Sequence, residues 1–261
     1  MELDASRFDI RLAANDAEVA AAQRLRYRVF VEEMGAPAAD ADHARRLEKD
    51  RFDPHFDHLI MIDRQRAADD PLDRVVGVYR LLPGERARQA GGFYGASEYD
   101  LSPLEAQPRR TLELGRSCVA ADYRGSAAMH LMWTALARYV TEREIEILFG
   151  VASFHGTDPE AVAPALSYLH HRHLAPPDLR VRAQPEGFVA MDRLPPAALD
   201  ARAAVRQIPN LIKAYLRLGG FVGEGAFVDR DFNTIDVCLL MDTARMVGKY
   251  KTLYAGGAHA A

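Results

Sequence analysis

Five groups of residues have types and spacing that could do chemistry. Glu48-Lys49-Asp50-Arg51-Phe52-Asp53, followed by Asp57, sets four carboxylates within ten residues. That charge could hold a cationic substrate or simply line a solvated loop. Arg26 and Phe30 stand four apart in a helical stretch and therefore share a face. Arg80 interrupts the apolar run RVVGVYRLL. A buried charge without a partner destabilises a fold, so Arg80 is expected to meet an acid from elsewhere in the chain.

The fourth group is Thr111-Leu112-Glu113-Leu114-Gly115-Arg116-Ser117. Side chains alternate along a regular strand, which would put Glu113 and Arg116 on opposite faces. A glycine inside a strand often marks a bulge, and one extra residue at Gly115 would bring both charges to one face. A bulge also frees backbone N–H groups that could stabilise a developing oxyanion. The plain alternative is a salt bridge across a sheet. The fifth group is the turn Tyr123-Arg124-Gly125-Ser126-Ala127-Ala128-Met129 ahead of a helix. Unpaired N–H groups and the helix dipole make such a turn a candidate phosphate site.

Other candidates carry less. His170, His171 and His173 have no carboxylate or cysteine at ligand spacing, so no metal is expected there. Cys118 and Cys238 cannot supply a disulfide framework or a multi-cysteine metal site. Ser153, Ser167 and Cys118 lack a G-x-S-x-G context, which argues against a triad hydrolase.

These groups need a scaffold, and 261 residues with 49% hydrophobic and 27% charged composition suit a folded globular chain. One domain spanning 1–261 is the simplest organisation. A net charge of −4 gives no reason to expect nucleic-acid binding. Only four of the 33 basic residues are lysine; arginine is the better donor for carboxylate and phosphate, although base composition explains the bias as readily. The opening MELDASRFDIRL is acidic where a secretion signal would be basic and then apolar. No apolar run approaches the roughly 18–20 residues of a membrane span. The expected location is cytoplasmic.

Helical and extended signals alternate, which predicts a mixed α/β fold. Residues 8–12 read as extended, and 16–34 as a helix stopped by Gly35 and Pro37. Residues 58–63 and 74–82 read as a hairpin-like pair of strands, with Pro83-Gly84 ending the second. Residues 84–110 read as an irregular covering loop, 111–119 as a strand, 126–142 as a helix capped by Ser126, and 145–153 as a buried strand. Helices are predicted over 159–173 and 208–218, and strands over 221–228 and 234–241. Leu211, Ile212, Tyr215 and Leu216 beside Lys213 and Arg217 are compatible with interfacial binding as well as with core packing.

Taken in order, Arg26…Phe30, Glu48-x-Asp50-x-Phe52-Asp53, Val75-Val76-Gly77…Arg80-Leu81-Leu82-Pro83 and Glu113-x-x-Arg116 resemble the motif series of acyl-homoserine lactone synthases, a branch of the GNAT-type acyltransferases. DPHFDHLIM, VVGVYRLL, GGFYGASEYDL, ELGRSCV and SFHGTDP are more fully similar to a related branch, the L-ornithine N-acyltransferases of bacterial ornithine lipid biosynthesis. The likeness is strong over about residues 20–170 and weaker over IPNLIKAYLRLGG and DFNTIDVCLLM.

The resemblance implies a GNAT-like α/β (α+β) fold: a central mixed, mainly antiparallel sheet flanked by helices, with a C-terminal extension. It implies transfer of a 3-hydroxyacyl chain from acyl carrier protein to the α-amine of L-ornithine, yielding lyso-ornithine lipid, with no tightly bound cofactor. The co-substrate is then a 3-hydroxyacyl-phosphopantetheine on the carrier. Glu113 would take the amine proton and Arg116 would orient Glu113 or the loop carboxylates. Asp50 and Asp53 would hold substrate ammonium groups beside Phe30. Arg26 or Arg80 would pair with the substrate carboxylate or lock the acidic loop. Arg124, Gly125, Ser126 and Ala127 would face the phosphopantetheine.

One departure bears on the donor. The usual GNAT pyrophosphate loop runs R/Q-x-x-G-x-G/A, but Ala127 and Met129 occupy its two later positions here. Added side chains oppose the close backbone approach that a coenzyme A diphosphate needs. A carrier protein presents a single phosphodiester, and its acidity suits a basic surface; Arg109, Arg110, Arg124, Arg138 and Arg143 are candidates. The single-chain product makes peripheral contact with the inner membrane compatible with this activity. The alternatives are a lactone synthase-like enzyme and an acyl-chain or partner-binding protein without catalysis.

Overall fold

Short apolar runs separated by charged turns become strands, and apolar residues at helical spacing become the helices that cover them. The computed structural model describes residues 5–124 and 128–245. In chain order its elements are β1 (Phe8–Leu12), α1 (Asp16–Arg26), β2 (Asp57–Asp63), β3 (Val75–Pro83), α2 (Gly84–Gln89), β4 (Tyr99–Asp100), α3 (Ser102–Glu105), β5 (Thr111–Val119) and α4 (Ala128–Glu142). Then follow β6 (Ile147–His155), α5 (Ala163–His173), β7 (Arg182–Ala183), β8 (Phe188–Val189), α6 (Ala201–Gln207), α7 (Asn210–Arg217), β9 (Phe221–Val222), β10 (Ala226–Asp229) and β11 (Thr234–Asp242).

The described residues divide into two compact units, 5–90 with 114–124 and 128–144, and 91–113 with 145–245. In the first, strands lie in the order β1-β2-β3-β5. β1 and β2 are antiparallel, as are β2 and β3, where His58 pairs with Arg80. The β2–β3 register shifts between Met61 and Ile62, a bulge near the far end of the pair. α1 packs on β3, and α4 packs on β1 and β2. Leu25, Ile60, Met61, Leu81, Leu82, Met132 and Leu136 are buried in this core.

In the second unit the order is β5-β6-β11-β10-β8, with β9 also on β11. Thr111–Glu113 of β5 run parallel to Ile147–Phe149 of β6, while the pairs formed by β11 with β6, β10 and β9 are antiparallel. The sheet is therefore mixed and mainly antiparallel, flanked by helices. β11 is buried along its whole length.

Several boundaries differ from the sequence reading. The expected helix 16–34 is α-helical only to Arg26, and a wider π-type turn carries Tyr27–Glu33 before Gly35 stops it with φ +74°. Residues 84–110 hold α2, β4 and α3, each too short to show a period. α5 starts at Ala163 because residues 159–162 form a turn, and β6 is displaced two residues along the chain. The helix expected over 208–218 is α7, beginning after Pro209, and a further helix, α6, precedes it. The strand expected over 221–228 breaks in two at Gly225, whose φ of +78° favours glycine. The cap expected at Ser126 lies outside the described residues. α7 buries Ile212 and Tyr215 and packs on β11.

Candidate functional site

Three of the five groups identified in the sequence, together with Arg116 of the fourth, meet in the first unit. Arg26, the last residue of α1, is fully buried. Its Nε donates to Glu48 Oε2 at 2.5 Å, its Nη1 and Nη2 to Asp53 Oδ1 and Oδ2 at 2.8 Å each, and Nη2 also to the Glu48 carbonyl at 2.6 Å. Gln23, one helical turn earlier, donates to Asp53 Oδ2 at 2.9 Å. Arg80, equally buried in β3, donates from Nη1 to Asp50 Oδ2 at 2.7 Å and Asp53 Oδ1 at 2.8 Å, and its guanidinium lies 4.2 Å from the Phe56 ring centre. Asp50 Oδ1 accepts the Phe52 and Asp53 N–H groups, a local turn that aims Asp53 at the two arginines. Arg116 closes the chain of contacts, donating from Nε to Glu48 Oε1 at 3.0 Å, with Phe30 5.8 Å from its guanidinium.

Three arginines thus face three carboxylates, and the charges cancel. Burial opposes ionisation of Asp53, but the charges and hydrogen bonds of Arg26 and Arg80 outweigh it and hold its carboxyl well below the ordinary range. Glu48 is lowered in the same way, by Arg26 and then Arg116 against burial. His58 is pushed down by burial and by Arg26, so it adds no charge at neutral pH. The hydrogen bonds of Arg26 and Arg80 thus reach the carboxylates of residues 48–53. Phe30 is half-buried, and the side chains of Asp50 and Arg116 keep 9% and 15% exposure, so these three form the accessible margin of the network.

Glu113 belongs to the second unit and is buried. Its Oε2 accepts the Tyr94 N–H at 2.8 Å and its Oε1 the Gly95 N–H at 2.6 Å. Hydrogen bonds of this kind favour the anion, the form a proton acceptor must have. The irregularity in β5 falls at Arg116, with φ +49°, rather than at Gly115. A left-handed residue interrupts the strand's alternation, and Arg116 is directed to Glu48.

Arg124 donates to the Val119 carbonyl at 3.0 Å and to Glu33 at 2.5 Å. Gly125, Ser126 and Ala127 lie outside the described residues. Among the candidate basic positions, Arg109 is bidentate on Asp242, the Arg110 N–H donates to Glu146, Arg143 stacks on Tyr139, and Arg138 is well exposed. Cys118 is buried, which pushes its thiol up to about 12 and leaves it un-ionised. Ser167 accepts the Leu194 N–H, and His171 pairs with the Leu194 carbonyl. Gln23, Phe56 and the Tyr94–Gly95 cap were not singled out from the sequence. The cap's one visible signal is the run GGFYG.

Residues 25–134 match the family model described as an acetyltransferase (GNAT) domain. The chain is similar to the L-ornithine N(alpha)-acyltransferase of Rhodobacter capsulatus, at 60% identity over 95% of this chain and 94% of that one. It is also similar to the enzyme of the same name from Brucella abortus, at 41% identity over 96% and 90%. In fold it is similar to the AHL synthase LasI, with 16% identity, a TM-score of 0.51 and coverage of 97% and 98%. The CoA-dependent acyl-homoserine lactone synthase BjaI is alike at 15% identity and a TM-score of 0.52, covering 97% and 90%. Identity of this extent, over nearly the full length of both chains, places the protein in the family of L-ornithine N(alpha)-acyltransferases, with a GNAT fold.

Proposed function

We propose that the protein transfers a 3-hydroxyacyl chain from acyl carrier protein to the α-amine of L-ornithine, making lyso-ornithine lipid. The observation that carries this reading is the 60% identity over 95% of the chain to a protein of that ornithine-acylating name. The carrier and the 3-hydroxyl rest on the sequence resemblance and on Ala127 and Met129 at the two later positions of the pyrophosphate-loop pattern.

In the proposed reaction the α-amine nitrogen attacks the thioester carbonyl, an amide C–N bond forms, and the C–S bond breaks to release the carrier thiol. Near neutral pH the amine is mostly protonated, so a base must act before attack. Glu113 takes that proton, directly or through a water, and releases it to solvent; the second amine proton, lost as the amide forms, passes by way of Glu113 to the departing sulfur. A positioned base contributes roughly 10²–10⁴ in rate. N–H groups along β5 face the developing oxyanion. In the first unit Asp53, Arg26 and Arg80 hold the loop, while Asp50 receives a substrate ammonium and Arg116 its carboxylate. Residues 124–127 receive the phosphopantetheine.

Purified protein incubated with L-ornithine and matched 3-hydroxyacyl thioesters, on carrier protein or on coenzyme A, tests this by mass spectrometry of the extracted lipid. N-acyl-ornithine from the carrier donor is expected, with Glu113→Gln slower by roughly 10²–10⁴. Acyl transfer from coenzyme A alone, or a lactone product, would overturn the reading.

A further inference from the structure

The second unit contains a buried acidic cluster that the proposed chemistry leaves unused. Glu98, Asp229 and Asp236 each bring one carboxylate oxygen within 4.8 Å of the others. Glu98 is 7% and Asp236 3% exposed. Asp236 sits on β11 opposite Ser153 of β6, and its Oδ2 accepts the Thr234 hydroxyl at 3.2 Å. Among the described residues its buried Oδ1 has no hydrogen-bond partner. What approaches Asp236 instead is a second carboxyl group, that of Glu98.

Two carboxyl groups attract one another only when a proton or a cation lies between them. A hard divalent cation takes about six to eight oxygens, more than these three carboxylates have free, since Asp236 Oδ2 already accepts the Thr234 hydroxyl. Asp229 also spends Oδ1 on the Asp231 and Phe232 N–H groups. A single proton satisfies the arrangement with fewer ligands. Burial, and the charge of Asp229, push the Asp236 carboxyl up to about 6 against hydrogen bonds from Ser153, Thr234 and Glu98. Two further titratable groups near the pair are Tyr99, whose hydroxyl donates to the Asp236 carbonyl, and Cys238, itself within reach of the Glu113 charge; burial keeps both neutral.

Glu98 ends the turn that caps Glu113. Its N–H donates to the Gly95 carbonyl at 3.0 Å, and Gly95 and Tyr94 supply the two N–H groups that hold Glu113. We propose that Glu98 and Asp236 hold one proton between them, and that this shared proton fixes the turn Phe93–Glu98 which positions Glu113. The catalytic consequence rests on the reading of Glu113 as the proton acceptor; the shared proton does not. Because burial raises the pair's affinity for its proton, its contribution is present at low pH and lost as pH rises. Once the proton leaves, neighbouring buried anions repel and the turn loosens.

Hydrogen exchange of the full-length protein, followed on the segment containing Tyr94 and Gly95 and corrected for intrinsic pH dependence, reads this directly. Between about pH 5.5 and 9 the wild type is expected to lose about tenfold in protection. Glu98→Gln, which keeps a neutral donor at every pH, should stay flat. Turnover should follow, with an alkaline decline in kcat that Glu98→Gln removes. A pH-independent wild-type segment would overturn the proposal, whatever becomes of the variant. So would protection that tracks added Ca²⁺, Mg²⁺ or Mn²⁺ rather than pH. If exchange behaves as expected while kcat does not follow it, the shared proton stands and the role of Glu113 falls; a flat segment with Glu113→Gln inactive gives the reverse.

Discussion

Asp53 joins the charged network of the first unit, since Arg26, Arg80 and Gln23 all donate to it. Asp53→Asn removes the counter-charge of two buried guanidiniums, and breaking such a pair costs about 3–5 kcal/mol. The pH dependence follows from the lowered carboxyl of Asp53. A carboxylate depressed in the folded state stabilises it above its unfolded pKa of about 3.9 and ceases to as pH falls through the folded value. Urea unfolding should therefore show the full deficit at pH 7 and a gap between variant and wild type that narrows below about pH 4. A gap independent of pH would place the effect in packing instead. Arg80 shows how far residue types alone could reach: a charge in an apolar strand demands an acid, and Asp50 and Asp53 supply it. The Glu113 cap was beyond that reach, because its donors lie 18 and 19 residues away and are backbone groups that any residue could offer.

Elements with strong periodicity were readable and those fixed by tertiary contact were not. β2, β3, β5 and β11 fall within a residue of the expected apolar runs, because a buried strand needs little beyond apolar side chains and a turn at each end. α6 has a single buried residue, Ala204, and so almost no apolar face to detect. The turn Tyr94–Ser97 is the element on which Glu113 depends, and Gly95 is its tightest point. A Cβ added there would stand 2.9 Å from Glu113 Oε1. The backbone of Gly95 is outside the left-handed region, so alanine is sterically compatible with the turn itself. Gly95→Ala should displace the carboxylate while leaving the thermal midpoint near that of the wild type. Misplacing a catalytic group by about 1 Å can cost about 10² in rate. A kcat equal to wild type would show that Glu113 tolerates displacement and is not the proton acceptor.

For the whole molecule, net charge and local charge point in opposite directions. The chain carries −4, so an acidic carrier protein, the donor of the proposed reaction, would meet a like-signed partner at long range. Productive encounter must then use local positive groups, and many arginines are already committed: Arg7 to Asp63, Arg11 to Glu18, Arg109 to Asp242 and Arg124 to Glu33. Arg138 on α4 is different, with a side chain 61% exposed and Glu142 no nearer than 3.9 Å. An exposed ion pair this loose contributes little to stability, so reversing its sign leaves the fold nearly untouched. Charge reversal at the rim of an interface acts mainly on association rate and salt dependence. Arg138→Glu should therefore lower kcat/KM for the acyl-carrier donor by about three- to tenfold at low ionic strength and flatten its decline with added salt. With a free acyl-pantetheine donor, which lacks the acidic protein surface, variant and wild type should coincide. Steady-state kinetics with the two donors across a salt series separates the outcomes, and an equal loss on both would move the carrier's docking surface away from α4.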